Sequence, residues 1–317
     1  MTDINLIHNR KVAIIGAGNV GASIAYALTI RNLASEIILI DKDEKRAIGE
    51  ALDIQHGISY MGVSSVRAGD YADCENCDLI IITAGRNRRV GESRLDLMND
   101  NLDILKNVVS NMKPYYNRGA ILMVSNPVDI LTYICAELMD LPDGRVFGTG
   151  NILDSSRLIR TVADYIGLNT EVVKGNIVGE HGDGQVAIWS KLSIAGVPVD
   201  EYCSDVDLKW DEEIRKEMEK KVRGLGAEII SDKGKTHYGI ATCVCLIADA
   251  VLNQRLTIAP VTSVLRGEYG INGVSLSVPS IIGASGVERR LEERWSEEEY
   301  SSFKKTAEKM KEVINKL

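Results

Sequence analysis

A histidine between two glycines is the clearest candidate for chemistry in the second half of the chain. His181 lies in the pentapeptide Gly-Glu-His-Gly-Asp at residues 179–183, which predicts an exposed turn. Because imidazole exchanges a proton near neutral pH, His181 is the candidate general acid and base. Of the other histidines, His8 lies in the N-terminal arm, and His56 and His237 lie in helical patterns. From this residue alone, a structural loop histidine remains the alternative.

A glycine-rich hexamer near the N-terminus predicts a turn that binds phosphate groups. It consists of Gly16, Ala17, Gly18, Asn19, Val20 and Gly21, and it lies between an apolar run and a helical pattern. Gly16 would permit a tight turn, Gly18 would let the backbone approach a pyrophosphate, and Gly21 would let the helix pack on the strand. The helix N-terminus would face the anion. The alternative is a glycine turn without a ligand.

An acidic residue in the expected place supports a dinucleotide site. Asp41 ends the next apolar run, twenty residues after Gly21. Its carboxylate would accept hydrogen bonds from the adenosine ribose and repel a 2′-phosphate. The pattern therefore favours NAD over NADP as the cofactor.

Short apolar runs in the first half predict strands that are buried on both faces. They are Lys11–Ile15, Glu36–Ile40, Asp78–Thr83 and Ala120–Val124. Continuous apolarity is typical of a parallel sheet. Helical patterns, such as Gly21–Asn32 and Leu95–Met112, separate these runs. The alternation predicts an α/β fold with a doubly wound parallel (Rossmann) sheet.

Beyond Gly150 the pattern becomes mixed and predicts a second, α+β domain. Helical stretches are predicted at Ser155–Ile166, Asp211–Ile230 and Tyr238–Leu252, and β-rich runs at Thr170–Val178 and Val274–Val278. We place an NAD-binding domain at residues 1–148 and a catalytic, substrate-binding domain at 149–317. The C-terminal segment opens with a capping-box pattern at Ser296–Glu299, and its apolar face predicts a helix docked on its own domain. A helix that binds a partner is the alternative.

Composition limits the classes of partner. The 317 residues carry a formal net charge of −8, so nucleic acid and anionic membranes are unfavourable partners. No apolar run approaches the roughly 18 residues of a membrane helix, and the first ten residues lack a signal-peptide core. We therefore expect a cytoplasmic protein. Cys74 and Cys77 could form half a metal or redox site, but without a second pair we expect reduced thiols and no metal.

Four motifs together resemble the L-lactate/malate dehydrogenase family. Besides the pentapeptide around His181, they are residues 91–97 (GESRLDL), 124–129 (VSNPVD) and 151–157 (NILDSSR). The matches follow the family order along essentially the whole chain. The resemblance implies reversible hydride transfer between NADH and a small 2-oxo acid, with a homodimer or homotetramer as the assembly.

The resemblance also implies roles for individual side chains. His181 would protonate the substrate oxygen, and Asp154 would hold the ring in one tautomer and favour its protonated form. Arg157 would bind the substrate carboxylate, and Arg94 would polarise the carbonyl group. Asn126 would hydrogen-bond near the reacting oxygen and the nicotinamide. Thr236 is a further substrate-binding position.

The substrate loop leaves two acids open. In the family, glutamine at the position of Arg88 is typical of lactate-type members, and arginine is typical of malate-type members. Arg88 could face a second carboxylate, and two unit charges about 4 Å apart interact by about 4 kcal/mol at an effective dielectric of 20. Glu92, Leu95 and Thr236 instead match the lactate type. Most markers therefore favour pyruvate and L-lactate, and Arg88 keeps oxaloacetate and L-malate as the alternative.

Two further expectations concern regulation and rival classes. Ile159 and Lys174 stand where activated lactate-type members have an arginine and a histidine for a sugar bisphosphate, so we expect weak or absent activation. A non-catalytic NAD-binding protein would need the glycine motif and Asp41, but not the catalytic set.

Overall fold

The computed structural model describes residues 10–60, 64–86 and 94–317, of which Ser59, Arg94 and Leu95 by backbone alone. The helices are α1 (Asn19–Ile30), α2 (Glu44–Gly57), α3 (Arg94–Met112), α4 (Val128–Met139), α5 (Ile152–Ile166), α6 (Val199–Asp205), α7 (Glu212–Lys233), α8 (Tyr238–Leu252) and α9 (Glu297–Ile314). Short 3-10 turns lie at Ile58–Tyr60, Tyr71–Cys74, Lys113–Tyr115, Thr170–Val172, Trp189–Lys191 and Glu268–Gly270.

The strands alternate with helices in the first half and cluster in the second. They are β1 (Lys11–Ile15), β2 (Glu36–Ile40), β3 (Ser65–Ala68), β4 (Leu79–Ile82), β5 (Ala120–Met123), β6 (Val146–Gly148), β7 (Val173–Lys174), β8 (Ile177–Gly179), β9 (Gln185–Ala187), β10 (Ser193–Ile194), β11 (Val197–Pro198), β12 (Thr257–Arg266), β13 (Asn272–Gly283) and β14 (Gly286–Arg290).

The described chain forms two compact units. The first contains the described residues up to Thr149 together with His237–Ile258 and Ile281–Arg289. The second contains Gly150–Thr236, Ala259–Ser280 and Arg290–Leu317.

A parallel sheet in the order β3-β2-β1-β4-β5-β6 organises the first unit. Its central strands are apolar at nearly every position because both faces are covered, and Ile14 and Ile81 have no exposed surface. The strand order reverses between β1 and β4, where Ile15 pairs with Ile82. In such sheets this reversal opens a crevice at the carboxyl ends of the strands. The predicted doubly wound fold class is confirmed.

Helix α8 belongs to the first unit although it lies late in the chain. It packs against α1, and the two are apolar helices with Ile24, Leu28 and Ile247 fully buried. The sequence pattern grouped this helix with the residues after 149. A run of apolar helical positions shows that a helix is buried, but not which sheet it covers.

The second unit is mixed. β13 pairs antiparallel with β8, and β8 pairs antiparallel with β9, while β11-β10-β7 form a small separate sheet. Helix α5 packs against α7 over a core that includes Leu158, Val162 and Val222.

Helix α9 begins as its sequence predicted. The Ser296 hydroxyl accepts from the Glu299 backbone N–H at 3.2 Å, and the Glu299 carboxylate accepts from the Ser296 N–H at 2.8 Å. The predicted capping box is therefore confirmed. Phe303, Ala307 and Met310 are buried where α9 packs on β8 and β9 of its own unit, in keeping with the docked interpretation.

Candidate functional site

The glycine turn after β1 is closed towards the protein and open on one side. Gly16 has φ of +112°, and a Cβ on Gly21 would lie 1.9 Å from the Gly16 carbonyl oxygen. The Thr83 hydroxyl donates to that carbonyl at 2.8 Å. A Cβ on Gly18 would meet no atom within 4 Å. The turn therefore has the shape of a cradle whose open side is Gly18.

Helix α1 offers donors to whatever occupies that cradle. It begins at Asn19, and its N-cap, Gly18, supplies no side-chain acceptor. The first N–H groups of a helix have no partner within the helix, and together with the helix dipole they favour an anion. Asn19 and Val20 thus lie where a pyrophosphate would be bound.

Asp41 is held beside the turn by backbone donors. Its Oδ2 accepts from the Ala17 N–H at 2.7 Å, and its Oδ1 accepts from the Asp43 N–H at 2.9 Å. A carboxylate accepts about four hydrogen bonds, so capacity remains for ribose hydroxyls. The residues present fit a dinucleotide without a 2′-phosphate.

His181 follows β8 in the loop that leads to β9, and its ring contacts a buried carboxylate. The ring Nδ1 lies 2.6 Å from Asp154 Oδ2. The imidazole is 26% exposed, whereas the Asp154 side chain is 5% exposed. The Nδ1 atom is thus the ring nitrogen that contacts the carboxylate, and a neutral imidazole can still exchange a proton at its other nitrogen.

Helix α5 positions Asp154 and Arg157 on adjacent parts of one face. Asp154, Leu158 and Val162 are spaced by four residues and buried, and Arg157 lies three residues after Asp154. Arg157 Nη1 donates to Asp154 Oδ1 at 3.0 Å. Each carboxylate oxygen of Asp154 therefore has its own cationic or ionisable partner.

Two opposing effects set the ionisation of Asp154. Burial raises its pKa, but the hydrogen bonds and charges of His181 and Arg157 outweigh burial and bring the pKa below its usual value. Asp154 is thus a carboxylate at neutral pH. Its charge lies beside the imidazole and stabilises the protonated ring.

The His181 loop is fixed from behind by a buried asparagine. Asn151, fully buried, donates through Nδ2 to the Gly179 carbonyl at 3.2 Å, and its own N–H donates to the Ser277 hydroxyl at 2.8 Å. Within the loop, the Glu180 carboxylate accepts from the Gly184 N–H at 3.0 Å. The backbone on both sides of His181 is therefore held.

Asn126 lies in the first unit, just beyond the carboxyl end of β5. Its backbone carbonyl accepts from Asn101 Nδ2 at 2.7 Å, and its side-chain oxygen accepts from the Val128 N–H at 3.3 Å. Asn101, on α3 and 2% exposed, also accepts from the Arg86 N–H at 2.9 Å and donates to the Arg86 carbonyl at 3.2 Å. One amide thus links the segments that follow β4 and β5.

The remaining predicted site residues are Thr236, Arg94 and Arg88. Thr236 is half-buried in the turn between α7 and α8. Arg94 is the first residue of α3, and its side chain is outside the described part of the chain. Arg88 lies outside the described residues.

Three residues that hold the site were not assigned a role from sequence: Thr83, Asn101 and Asn151. Asn101 had a detectable signal, because it interrupts the apolar stripe of α3 between Met98 and Leu102. Thr83 and Asn151 lie within quoted motifs, but nothing local marks their partners.

The described part of the chain was searched for metal-binding clusters and for helices that could span a membrane. Among those residues, no cluster of three His, Cys, Asp or Glu side chains could hold a metal ion. Cys74 and Cys77 are buried and not disulfide-bonded, and burial raises the pKa of each thiol to about 12. No helix in the described ranges is both long and apolar enough to span a bilayer.

Comparison with known proteins shows the family of this chain. Residues 10–148 match the lactate/malate dehydrogenase NAD-binding domain, and residues 152–317 match the α/β C-terminal domain of the same family. The chain is 42% identical to the L-lactate dehydrogenase of Thermoanaerobacterium saccharolyticum, over 97% of this chain and 99% of that one. It is 39% identical to the L-lactate dehydrogenase of Acetivibrio thermocellus, over 97% of each chain.

A solved structure extends the likeness to three dimensions. The minor L-lactate dehydrogenase from Enterococcus mundtii superposes with a TM-score of 0.92 at 36% identity, covering 98% of each chain. Sequence and structural likeness both extend over nearly the full length. The chain therefore belongs to the lactate/malate dehydrogenase family.

Proposed function

We propose that this chain is an NAD-dependent L-lactate dehydrogenase that interconverts pyruvate and L-lactate. The observation that carries the proposal is the side-chain set of the second unit, in which Asp154 Oδ2 lies 2.6 Å from the His181 ring and Asp154 Oδ1 accepts from Arg157. The names of the similar proteins, all L-lactate dehydrogenases, support the same activity.

Proton transfer is assigned to His181. When bound, NAD supplies the hydride donor and acceptor. His181 delivers a proton to the substrate oxygen during reduction and accepts it during oxidation. Asp154 keeps the proton of Nδ1 in place and stabilises the positive ring, which leaves Nε2 directed to the substrate.

Substrate binding is assigned to four polar side chains. Arg157 binds the substrate carboxylate through both arms of its guanidinium, and charged hydrogen bonds of this kind contribute about 1.5–3 kcal/mol each. Arg94 polarises the carbonyl where negative charge develops. Asn126 hydrogen-bonds near the reacting oxygen, and Thr236 contacts the substrate.

Cofactor binding is assigned to the glycine turn. Gly16, Gly18, Asn19, Val20 and Gly21 receive the pyrophosphate, as the open side at Gly18 and the uncapped start of α1 support. Asp41 binds the adenosine ribose, and Asn126 contributes at the nicotinamide end. The two-domain division at 148/149 stays part of the proposal, as do the homodimer or homotetramer and the cytoplasmic location.

Arg88 favours a second candidate, malate dehydrogenase, because its guanidinium could neutralise the second carboxylate of oxaloacetate. The two candidates differ in one measurable ratio. We expect kcat/KM to be higher for pyruvate than for oxaloacetate in the wild-type protein. If Arg88 is the side chain that contacts the variable group, Arg88→Gln lowers activity on oxaloacetate and leaves or raises activity on pyruvate.

The test is NADH oxidation by the purified protein with each 2-oxo acid. His181→Ala should lose activity on both acids, roughly 100-fold or more, whereas His56→Ala, which removes an exposed histidine of α2, should keep it. A wild-type preference for oxaloacetate would replace lactate by malate dehydrogenase. NADH binding without turnover of either acid would leave a non-catalytic NAD-binding protein.

A further inference from the structure

A cavity lined by arginines lies at the edge of the first unit's sheet opposite to the glycine turn. It has a volume of about 720 Å³, and its lining includes Arg10, Arg118 and Arg145. These residues come just before β1, β5 and β6, at the amino ends of the strands. The glycine turn and Thr83 instead follow the carboxyl ends. The cavity is therefore separate from the proposed cofactor site.

The charge in this cavity is predominantly positive. Among the described residues that line it, Asp78 is the single acid. Its Oδ1 lies 3.0 Å from Arg118 Nη2, and its Oδ2 accepts from the Lys11 N–H at 2.9 Å. Asp78 thus neutralises Arg118, and the charges of Arg10 and Arg145 are not balanced within the lining.

Those two guanidinium groups have few acceptors of their own. Arg10 makes one long hydrogen bond, 3.5 Å from Nη1 to the Leu33 carbonyl, and its buried Nε has no partner among the described residues. Arg145 is half-buried, and its side chain has no ion pair or hydrogen bond within the described part of the chain. A buried donor without an acceptor is unfavourable, so an acceptor from solution would stabilise this arrangement.

We propose that this cavity binds a small polyvalent anion bearing phosphate or carboxylate groups. Guanidinium groups bind such oxygens through paired hydrogen bonds, and Asn253 and Ser285 add polar side chains to the lining. The volume suits a small molecule. The whole chain carries a net charge of −8, so a cavity with two unbalanced arginines differs in sign from the protein's overall charge.

The experiment is isothermal titration of the full-length protein with pyrophosphate and, separately, citrate, in a buffer without other polyvalent anions. We expect saturable binding of at least one probe that weakens with added salt. Arg145→Gln should weaken it about tenfold or more, the loss of one charged contact. Ser285→Glu, which adds a carboxylate and leaves the arginines unchanged, should weaken it as well. Melting temperatures verify that both variants fold.

A matched variant separates this cavity from the proposed substrate site. Arg157→Gln removes the guanidinium beside Asp154 in the second unit and should leave pyrophosphate or citrate binding intact. Binding lost in Arg157→Gln but kept in Arg145→Gln would overturn the proposal. The absence of saturable binding of both probes would also overturn it. Arg145→Gln should retain wild-type kcat for pyruvate. Preference for pyrophosphate over citrate would identify phosphate as the ligand group, and the reverse would identify carboxylate.

Discussion

At the scale of single residues, Asp154 contacts two ionisable side chains at once. One carboxylate oxygen contacts the His181 ring and the other accepts from Arg157. The geometry couples the proposed proton donor to the proposed carboxylate-binding residue through one anion. Removing the charge of Asp154 should therefore disturb both partners while leaving their backbone positions fixed by Asn151 and the α5 helix.

We predict that Asp154→Asn lowers kcat for pyruvate reduction by roughly 10²- to 10⁴-fold. The amide has nearly the same shape, but it lacks the charge that stabilises the protonated ring and can present an N–H to Nδ1. Steady-state kinetics measure the effect, and NADH titration should show unchanged cofactor affinity because the glycine turn is unaffected.

The matched control is Asp164→Asn on the same helix. Asp164 forms an exposed ion pair with Arg160, so its loss should change neither kcat nor KM. If Asp154→Asn retained more than about a tenth of wild-type kcat, Asp154 would not be the group that supports His181.

At the scale of elements, the strand–turn–helix unit contains glycines with different reasons for lacking a side chain. Gly21 lies where α1 crosses the turn backbone. A side chain is excluded there, because a Cβ would approach the Gly16 carbonyl oxygen to 1.9 Å. Gly18 has ordinary negative φ and open space around it. The missing side chain at Gly21 is required by packing, whereas the open space at Gly18 is consistent with the proposed cofactor site.

We predict opposite outcomes for the two alanine substitutions. Gly21→Ala should lower the melting temperature, since α1 must move away from a backbone atom that cannot yield. Gly18→Ala should leave the melting temperature of the unliganded protein unchanged and raise the Kd for NADH, because the added methyl enters the cradle. Thermal melts with and without NADH measure both effects. Equal destabilisation by the two substitutions would contradict this division.

Helix α3 supplies a second prediction at this scale. Asn101→Ala removes the partner of three backbone groups, namely Arg86 N–H, Arg86 C=O and Asn126 C=O. We expect a loss of about 1–3 kcal/mol in the free energy of unfolding, because three part-buried hydrogen bonds of a buried amide are lost. We also expect a lower kcat, because the backbone of Asn126 is no longer held. Urea unfolding and steady-state kinetics measure the two effects.

The control for this prediction is Asn111→Ala, an exposed asparagine whose bonds stay within α3. It should change neither quantity. Asn101→Ala with full kcat and only reduced stability would limit Asn101 to a structural role.

The sequence predicted the features that are determined by neighbouring residues, and it did not predict contacts between residues that are distant along the chain. The strands Lys11–Ile15 and Glu36–Ile40 were predicted with their observed bounds, because continuous apolar runs directly encode buried strands. The hydrogen-bond partners of Thr83 and Asn101 could not be assigned from the sequence, because they are distant along the chain. The partner of Thr83 lies 67 residues away, and those of Asn101 lie 15 and 25 residues away. Similarly, nothing in the Tyr238–Leu252 pattern specifies packing on α1. Tertiary partners follow from the assembled sheet, which local periodicity does not describe.

At the scale of the whole molecule, the two units use positive charge differently. The second unit places Arg157 beside a buried carboxylate, where its charge is partly balanced. The first unit gathers Arg10 and Arg145 around a cavity in which, among the described lining residues, the one acid is paired with Arg118. An anion in solution can therefore bind beside Arg157 in the second unit or in the arginine-lined cavity of the first. An experiment must measure binding and the effect on turnover separately.

Fructose 1,6-bisphosphate can distinguish binding of an anion from an effect on turnover. At the positions that match the family's activator site, Ile159 packs against the apolar core of the second unit and Lys174 is exposed on β7. A single flexible lysine cannot pair with two phosphate groups, so we expect the apparent KM for pyruvate to change less than about twofold at saturating bisphosphate. Initial rates over a range of pyruvate concentrations measure this. A several-fold fall in KM would contradict the prediction. Isothermal titration can show whether the bisphosphate binds even so. If it does, we expect the cavity of the first unit to be its site. Arg145→Gln should then abolish the heat of binding and leave the KM for pyruvate unchanged.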